Sequence, residues 1–376
     1  MLTILTLKIL LMIVYLSHWD WNLYKSRKDI VSNLDEKSFI AICPKGIYSE
    51  ELKSIYQDHI NWQINRPKTF DFKSVLNLKK ILNSLEEGSV VHSFTLKTGI
   101  LYSIANLFIN KNINGVLSIN GLGYLFSNNL KAKFLKLLIK TVIKRIFNKC
   151  FKEIIFQNVS DKETFLKFSN YSGKTSLIKG SGIEIDNYVK KELYQKEKLK
   201  VIFVSRLLVD KGVNEYIELA KNILKPNIDF YLAGDIDEGN PNSITANDLK
   251  NIKNENNIKY IGPINVEKEL CSYDVSIIMS KYEGFSRILL ESLYVGLFCI
   301  SNDIPGTEWL KEFNNGFLVK NNNINDISEV INNFNDYGFS KTNAESNREI
   351  IKKKYTTKII SYQYNEIYNN LASSYK

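Results

Sequence analysis

The sequence predicts an α/β protein with two doubly wound, Rossmann-like parallel-sheet domains. Short apolar runs alternate with amphipathic helical patterns in both halves of the chain, as in a parallel sheet that is covered by helices. The length of 376 residues suffices for two domains. A hydrophobic content of 44% and an aromatic content of 12% are enough for two packed cores and argue against a disordered protein.

The first half of the chain contains strand candidates separated by long helical stretches. They are ILLMIVYL, SFIAIC, SVVHSF, NGVLSIN and EIIFQN. The apolar stretch 1–16 contains Lys8, lacks a basic n-region and a small-residue cleavage site, and is shorter than the ~20 residues that span a bilayer. We therefore expect a buried first strand that leads into a functional loop, with a membrane anchor as the alternative.

The second half repeats this alternation more clearly. Its strand candidates are KVIFVSRL, DFYLAG, KYIGPI, VSIIMSK, LFCISND and GFLVK, with helical patterns at VNEYIELAKNIL and 287–295. Glycines at 180 and 182 break the pattern between the two halves. We predict domains at 1–180 and 181–354, with a C-terminal helix over 355–376 that packs back on the first domain.

The stretch SKYEGFSRILLESLYVG, residues 280–296, places two glutamates around the start of a helix. Ser286 is a suitable N-cap, so Glu283 lies in the preceding loop and Glu291 about five residues inside the helix. Free amides at 284–286 would form an anion site at the helix N-terminus. The alternative is that Glu291 only pairs with Arg287 and that Glu283 is a solvated loop charge.

The stretch SRLLVDKG follows the first strand of the second half and contains two cations. Arg206 lies at the strand end and Lys211 at the start of the next helix. Together they could hold a diphosphate, the arginine through its planar fork and the lysine as a point charge. The alternative is a pair of surface charges around a turn.

These motifs together resemble glycosyltransferase family 4 with the GT-B fold. The resemblance is carried by SRLLVDKG, YEGFSRILLESLYVG and SNDIPGTEWL in the second half. In the first half VHSFTLKTGILYSIA, INGLGYLFS, IIFQNVSDKETF and GSGIEID resemble bacterial capsule, O-antigen and lipopolysaccharide transferases that use polyprenyl-diphosphate sugar acceptors. The resemblance implies two domains that face a central cleft, the first binding the acceptor and the second a nucleotide sugar.

The resemblance also implies roles for single residues. Arg206 and Lys211 would hold the donor diphosphate, and Glu291 would accept hydrogen bonds from the ribose. Glu283 would contact hydroxyls of the donor sugar as a catalytic residue. The implied donor-binding set is Arg206, Lys211, Gly284, Phe285, Ser286 and Glu291. Phe285 and Ser286 depart from the small or proline-bearing residues that are usual there, which bears on the identity of the donor.

Further candidates lie in the first half. His92 follows the strand SVV, where the family often has a histidine that faces the reaction centre, so we predict a catalytic role; a structural histidine is the alternative. His18, in the first strand–helix loop, is a candidate for acceptor contact. Gly121 and Gly123 could let the backbone approach a ligand in the cleft, whereas Phe126 replaces the third glycine of a dinucleotide fingerprint and argues against NAD.

Charge and composition limit the partners and cofactors. The net charge of +10 favours anionic partners, yet no DNA- or RNA-binding motif is present, so we expect no nucleic acid. Four scattered cysteines indicate neither zinc nor disulfides and fit a reducing cytoplasm. Asp235 and Asp237 form an Asp-x-Asp pattern, which we interpret as structural. We therefore expect no metal and no cofactor, with a UDP-linked sugar as substrate.

A basic amphipathic helix is predicted over 131–152. Its lysines are Lys133, Lys136, Lys140, Lys144 and Lys149, interspersed with Leu135, Leu138, Ile139, Val142 and Ile146. Such a helix could lie on an anionic membrane surface, which favours a peripheral protein of the cytoplasmic face. The alternative is a helix that packs on the sheet with a solvated basic face.

The function predicted from these observations is a retaining glycosyltransferase. It would move a hexosyl or N-acetylhexosaminyl unit from a UDP-sugar to a lipid-linked glycan during surface polysaccharide synthesis. The retaining mechanism is implied by the resemblance alone. Two alternatives remain, namely a nucleotide-sugar epimerase on the same scaffold and a non-catalytic, membrane-associated assembly subunit.

Overall fold

The protein consists of two compact units. The computed structural model describes residues 12–34, 38–66, 71–126, 130–192, 198–253, 257–320, 323–334 and 340–373. Contacts assign Met1–Phe156, Lys162–Ser181 and Ile360–Lys376 to the first unit, and Gln157–Asp161 and Gly182–Ile359 to the second. The chain thus passes between the units beside the predicted junction and returns to the first unit at its end.

The first unit contains a parallel sheet with seven strands among the described residues, in the order β3-β2-β1-β4-β5-β6-β7. The strands are β1 Met12–Leu16, β2 Ser38–Cys43, β3 Asp58–Asn61, β4 Val90–Phe94, β5 Asn114–Ile119, β6 Phe151–Phe156 and β7 Lys174–Leu177. The helices are α1 Asp20–Ser32, α2 Ser49–Ile55, α3 Phe72–Ser84, α4 Leu96–Asn106, α5 Leu130–Cys150 and α6 Val159–Ser169.

Helices cover both faces of this sheet, which explains why its central strands are buried along their whole length. Every residue of β4 and β5 is buried. The first strand is confirmed over Met12–Leu16, whereas residues 1–11 of the predicted stretch lie outside the described residues. None of the helices in the described ranges is both long enough and apolar enough to cross a membrane.

The sequence missed two edge strands of the first sheet. β3 and β7 have four residues each, and none of these residues is buried. Because an exposed edge strand needs no apolar run, neither DHIN nor KTSL has the pattern by which a strand is recognised.

The second unit contains a parallel sheet with six strands in its described part, in the order β10-β9-β8-β11-β12-β13. The strands are β8 Leu199–Val204, β9 Ile228–Ala233, β10 Ile258–Gly262, β11 Val275–Ile278, β12 Phe298–Asn302 and β13 Gly316–Val319. The remaining α-helices among the described residues are α7 Val213–Asn222, α8 Ala246–Lys253, α9 Val266–Glu269, α10 Arg287–Val295, α11 Ile324–Asn332, α12 Lys341–Lys354 and α13 Thr357–Ser373. All six strand candidates of the second half are confirmed.

The last helix, α13, completes the core of the first unit. Ile360, Tyr364, Ile367 and Tyr368 are buried there among residues of β1, β2 and β4. This face of the first sheet therefore obtains part of its cover from the opposite end of the chain.

A buried ion pair fixes the segment that enters the second unit. Lys191 Nζ lies 2.7 Å from Asp274 Oδ1, and both side chains are almost fully buried. The same ammonium donates to the carbonyl of Tyr273, and Asp274 Oδ2 accepts the amide of Lys200 at the start of β8. Because charges buried in a protein interior are tolerated only when paired, this contact ties the entering segment to β8 and to the start of β11.

We expect Asp274→Ala to lower the free energy of unfolding by about 3–5 kcal/mol, because it deprives the buried ammonium of this carboxylate. Urea unfolding of the full chain, followed by circular dichroism, measures the loss. The control is Asp303→Ala, which removes the carboxylate of an exposed pair with Lys311 and should cost less than about 1 kcal/mol. Equal losses in the two variants would contradict the structural role of the buried pair.

Candidate functional site

The strand order of each sheet identifies where a ligand is expected. In the first sheet the order reverses between β1 and β4, and in the second between β8 and β11. Ligands of open α/β sheets bind outside the carboxyl ends of the strands at such a reversal. Each unit therefore has one candidate site, and each site is built from the residues that follow two neighbouring strands.

In the second unit the two loops at the reversal contribute an ion pair. Lys211 Nζ, from the loop after β8, lies 2.6 Å from Glu283 Oε1, from the loop after β11. The side chains are only 23% and 13% exposed. Ser280 Oγ donates to the same carboxylate oxygen at 2.7 Å. Glu283 is thus a largely buried, paired carboxylate, and the alternative of a solvated loop charge is wrong.

Two glycines allow these loops to approach closely. Gly212 has φ +84, and a Cβ atom there would clash with the carbonyl oxygen of Met279 at the end of β11. A Cβ atom at Gly306 would clash with the carbonyl oxygen of Glu283. Only glycine fits at either position, so the backbone holds the loop of Glu283 from both sides.

Arg206 lies at the same sheet edge and is oriented by Asp237. Its Nη1 lies 2.6 Å from Asp237 Oδ2, which also accepts from Asn240 Nδ2 at 3.1 Å. The Asp237 amide in turn donates to Ser243 Oγ at 3.0 Å. One aspartate of the Asp-x-Asp pattern therefore holds a guanidinium. In the described ranges no group of three or more His, Cys, Asp or Glu residues could hold a metal ion.

Two hydrogen-bond donors hold the side chain of Glu291, which lies in helix α10. Arg287 Nε donates to its Oε1 at 2.8 Å and the Tyr188 hydroxyl donates to the same atom at 2.7 Å. The predicted alternative of an Arg287–Glu291 pair is thus present. Burial, together with the carboxylate of Glu291, raises the pKa of Tyr188, so its hydroxyl stays protonated and donates. Among the described residues both donors use Oε1, which leaves Oε2 for a further donor.

The start of α10 differs in part from the prediction. Ser286 has the extended backbone of an N-cap, yet its side chain makes no capping hydrogen bond. Its amide donates weakly to the carbonyl of Gly306 at 3.4 Å instead of remaining free. Phe285 stacks on Trp309 with ring centroids 4.6 Å apart, so its large ring anchors the loop in an apolar cluster. Gly284 accepts from Asn158 Nδ2 through its carbonyl at 2.9 Å.

In the first unit His18 lies at the sheet reversal. Its Nδ1 is 3.1 Å from Thr98 Oγ1 and 3.3 Å from Thr95 Oγ1, and the ring is partly exposed. Thr95 has φ +81, an unusual conformation for a β-branched residue. The histidine therefore links the loop after β1 to the start of α4.

His92 lies in the core of the first unit. The residue is fully buried, with Nδ1 2.6 Å from the Tyr368 hydroxyl and Nε2 2.7 Å from Ser118 Oγ. Burial and the nearby Arg27 guanidinium hold the pKa of His92 well below its usual range, so the imidazole is neutral. His92 therefore lies where the alternative prediction, a structural histidine, would have it. A direct catalytic contact does not fit it, because both ring nitrogens have protein partners.

Gly121 and Gly123 follow β5 at the same edge of the first sheet, with φ values of +122 and +54. A Cβ atom at Gly123 would meet no atom of the described residues within 4 Å. Tyr188 is a site residue that the sequence analysis missed, because nothing in GSGIEIDNY distinguishes it as a partner of a helix more than a hundred residues later.

Comparisons with known proteins agree with this arrangement. Residues 184–357 match the family model of the glycosyl transferases group 1. The chain is 29% identical over 285 residues to the Escherichia coli UDP-Gal:α-D-GlcNAc-diphosphoundecaprenol α-1,3-galactosyltransferase, covering 70% of this chain and 69% of that protein. It is 24% identical over 197 residues to the Staphylococcus aureus poly(ribitol-phosphate) α-N-acetylglucosaminyltransferase, covering 50% of this chain and 39% of that longer protein.

Solved structures with the same fold cover nearly the whole chain. Sucrose-phosphate synthase from Thermosynechococcus elongatus has a TM-score of 0.77 at 15% identity, with 97% of this chain and 100% of that one covered. The Anabaena protein HepE, solved with UDP and glucose, has a TM-score of 0.72 at 17% identity, with 94% and 98% covered. The resemblance drawn from the motifs is thereby confirmed: the chain is a glycosyltransferase of the GT-B fold, and its residues 184–357 match the group 1 glycosyl transferases.

Proposed function

We propose that the chain is a retaining glycosyltransferase that moves a hexosyl or N-acetylhexosaminyl unit from a UDP-sugar to a lipid-linked glycan in surface polysaccharide synthesis. The observation that carries the proposal is the Lys211–Glu283 pair beside Arg206 at the reversal of the second sheet. The printed donor and acceptor of the Escherichia coli relative support this substrate class. The UDP complex of HepE supports a UDP donor.

The two cations are suited to a diphosphate because they are held in place before a ligand arrives. Asp237 orients the guanidinium of Arg206, and Glu283 holds the ammonium of Lys211. Little further side-chain entropy is lost when they donate to phosphate oxygens. Together they neutralise the charge that develops on a departing diphosphate, so we expect transfer without a metal or another cofactor.

The two glutamates are suited to different parts of the donor. Glu291 presents Oε2 while Arg287 and Tyr188 occupy Oε1, so its carboxylate can accept from the hydroxyls of a ribose. Glu283 is paired with the cation that would contact the diphosphate, so we expect it to lie beside the sugar that the diphosphate carries. Its negative charge would orient the hydroxyls of that sugar and favour positive charge on the ring.

Retention requires displacement on one face of the sugar. The bond between the anomeric carbon and the diphosphate oxygen breaks, and the acceptor hydroxyl oxygen bonds to that carbon from the same side. The acceptor proton passes to the departing diphosphate. Arg206 and Lys211 stabilise the diphosphate as its charge develops, and Glu283 stabilises the positive charge on the ring.

The outer face of helix α5 is better suited to contact with a membrane surface than to contact with water. Ile143 and Phe147 pack into the core, whereas Phe134 and Leu137 are each 65% exposed. The lysines whose side chains are described on this helix are Lys136, Lys140, Lys144 and Lys149. The side chains of Lys133, Leu138 and Val142 lie outside the described residues. A helix that is apolar and basic on its outer face is typical of the interface of an anionic bilayer. We therefore propose peripheral association with the cytoplasmic face of the membrane.

Lys211→Ala should weaken UDP binding by about 1.5–3 kcal/mol, because it removes one charge-assisted contact and leaves Glu283 uncompensated beside the diphosphate. Isothermal titration calorimetry with UDP measures the change. Lys225→Ala, which removes an exposed lysine of the same unit, is the matched control. Unchanged UDP affinity in a folded Lys211→Ala protein would remove this loop from the donor site.

Conservative substitutions of Glu283 and Glu291 should have different effects on turnover and on UDP affinity. Glu283→Gln should reduce turnover at least about tenfold, or ~1.4 kcal/mol of barrier, with UDP affinity nearly unchanged. Glu291→Gln should weaken UDP itself, because an amide accepts hydrogen bonds less strongly than a carboxylate. Turnover with a labelled UDP-sugar and calorimetry with UDP measure the two effects, and the anomeric configuration of the product, read by NMR, tests retention. Normal transfer and normal UDP affinity in both variants would refute this division of roles.

Reversing the charges of Lys136, Lys140 and Lys144 to glutamate should reduce binding to vesicles that contain phosphatidylglycerol at least about a hundredfold, since each lysine contributes ~1 kcal/mol near an anionic surface. Co-sedimentation at low and high salt measures binding. The control reverses the three lysines at 352–354 in α12, which changes the net charge equally. If both triple variants lose binding equally, attraction depends on net charge and not on α5.

A further inference from the structure

A cationic cluster lies at the sheet reversal of the first unit. We use this name for Trp19, Trp21, Arg66 and Lys97. Strands β1 and β4 are neighbours, with Leu16 paired to Ser93, and the chain leaves the sheet from both strands at this point. The loop after β1 supplies Trp19, the first turn of α1 supplies Trp21, and the first turn of α4 supplies Lys97. The cluster therefore occupies the position in the first sheet that corresponds to the Lys211–Glu283 pair in the second.

Trp19 fixes the guanidinium of Arg66. The guanidinium carbon lies 3.6 Å from the centroid of the Trp19 ring, and Trp19 stacks on Trp21 with centroids 4.9 Å apart at 17°. Cation–π contact of this kind holds an arginine over the ring. The N–H bonds of a guanidinium lie in its own plane, so a stacked arginine can still donate two parallel hydrogen bonds to an anion.

Lys97 places a second cation next to Arg66. Its Nζ donates to the backbone carbonyl of Arg66 at 2.7 Å. Burial first, and then the guanidinium of Arg66, lower the pKa of Lys97 to about 8, while Asp71 acts in the opposite direction. Both influences disfavour the charged amine, and an anion bound between the two cations would offset them.

A third cation lies inside the same edge of the sheet. Arg27 is buried, with its guanidinium 4.4 Å from the ring of Phe94, the last residue of β4. Its Nη2 donates to Asn120 Oδ1, just after β5, at 3.2 Å, whereas Nε and Nη1 have no hydrogen-bond partner within the described ranges. Because its charge is shielded from water and only partly compensated, it adds positive potential to this edge.

The backbone around the cluster is constrained. Thr95 keeps a φ of +81 immediately before α4, and His18 lies within hydrogen-bond distance of the Thr95 and Thr98 hydroxyls. Strained residues of this kind persist where the surrounding structure fixes a functional geometry. The contacts of His18 hold the loop that carries Trp19 against the turn that carries Lys97.

We propose that Arg66 and Lys97, with Trp19 and Trp21 as a support for the arginine, form an anion subsite that binds the diphosphate of a lipid-linked acceptor. The inference rests on the proposed function, since it assigns the acceptor of that reaction to these residues. Two adjacent cations match a diphosphate better than a single carboxylate, because each can contact one phosphate group.

The test uses the full chain and a water-soluble acceptor, a short-chain alkyl diphosphate that carries N-acetylglucosamine. Arg66→Gln and Lys97→Gln should each raise the acceptor KM about tenfold or more, while the Kd for UDP stays within about twofold of wild type. The matched control is Lys80→Gln, which removes an exposed cation from α3 of the same unit and should change neither constant. Tryptophan fluorescence of wild type should respond to inorganic diphosphate, and both variants should lose the response.

The outcomes distinguish this inference from the proposed function. Unchanged acceptor KM in both variants, or equal use of an acceptor that lacks the diphosphate, overturns the subsite and leaves glycosyl transfer intact. Weakened UDP binding in both variants assigns the cluster to the donor and also overturns it. A stronger response to phosphatidylglycerol vesicles than to diphosphate also overturns the subsite, because it assigns the cluster to a lipid headgroup. If no lipid-linked glycan accepts sugar but the diphosphate response is lost only in Arg66→Gln and Lys97→Gln, the anion subsite stands and the proposed function fails.

Discussion

The contact between Lys211 and Glu283 depends on strands β8 and β11 being neighbours in the second sheet. Seventy-two residues separate the two side chains along the chain, yet the reversal of strand order brings the loops after these strands to one edge. The close approach of the loops in turn requires Gly212 and Gly306, where any side chain would meet backbone. Arg206, two residues after the end of β8, belongs to the same edge for the same reason. The donor site that we propose is therefore a consequence of topology first and of side-chain chemistry second.

Around this pair, each polar group of the site has a partner that limits its orientation. Asp237 forms an ion pair with Arg206, and Ser280 donates to Glu283. Tyr188 and Arg287 both donate to Glu291. Such partners lower the entropy that is lost on ligand binding and keep charged groups stable where they are partly buried. The aromatic stack of Phe285 on Trp309 has a comparable effect on the backbone, because it anchors the loop between the two glutamates.

In both units neighbouring side chains fix the orientation of the cations, but the balance of charge differs. In the second unit each cation is matched by a carboxylate, so the site is close to neutral before a diphosphate binds. In the first unit Arg66, Lys97 and Arg27 lie at the corresponding edge, and the carboxylate of Asp71 raises the pKa of Lys97 against the effect of Arg66. The positive charges of these side chains accord with the overall charge of +10 and with the anionic acceptor that we propose. The outer face of α5 extends the basic character to a surface where apolar side chains are exposed.

The sequence by itself determined the class of fold and the six strands of the second sheet, for which the strong alternation of apolar runs and helical patterns was sufficient. Arg206, Lys211, Glu283 and Glu291 of the donor site that we propose were indicated by the family resemblance of their motifs. The edge strands β3 and β7 escaped because exposed strands carry no apolar pattern.

Only the tertiary structure decided which of these residues contact one another. The position of His92 at a predicted strand end indicated a catalytic group. In the structure His92 is buried in the core, where it is hydrogen-bonded to the hydroxyl of Tyr368, 276 residues later. The partnership of Tyr188 with Glu291 and that of Trp19 with Arg66 likewise join segments with no common pattern. Local sequence records which face of a strand or helix is apolar, whereas individual contacts between distant segments arise from the order of the strands, which no short stretch of sequence encodes.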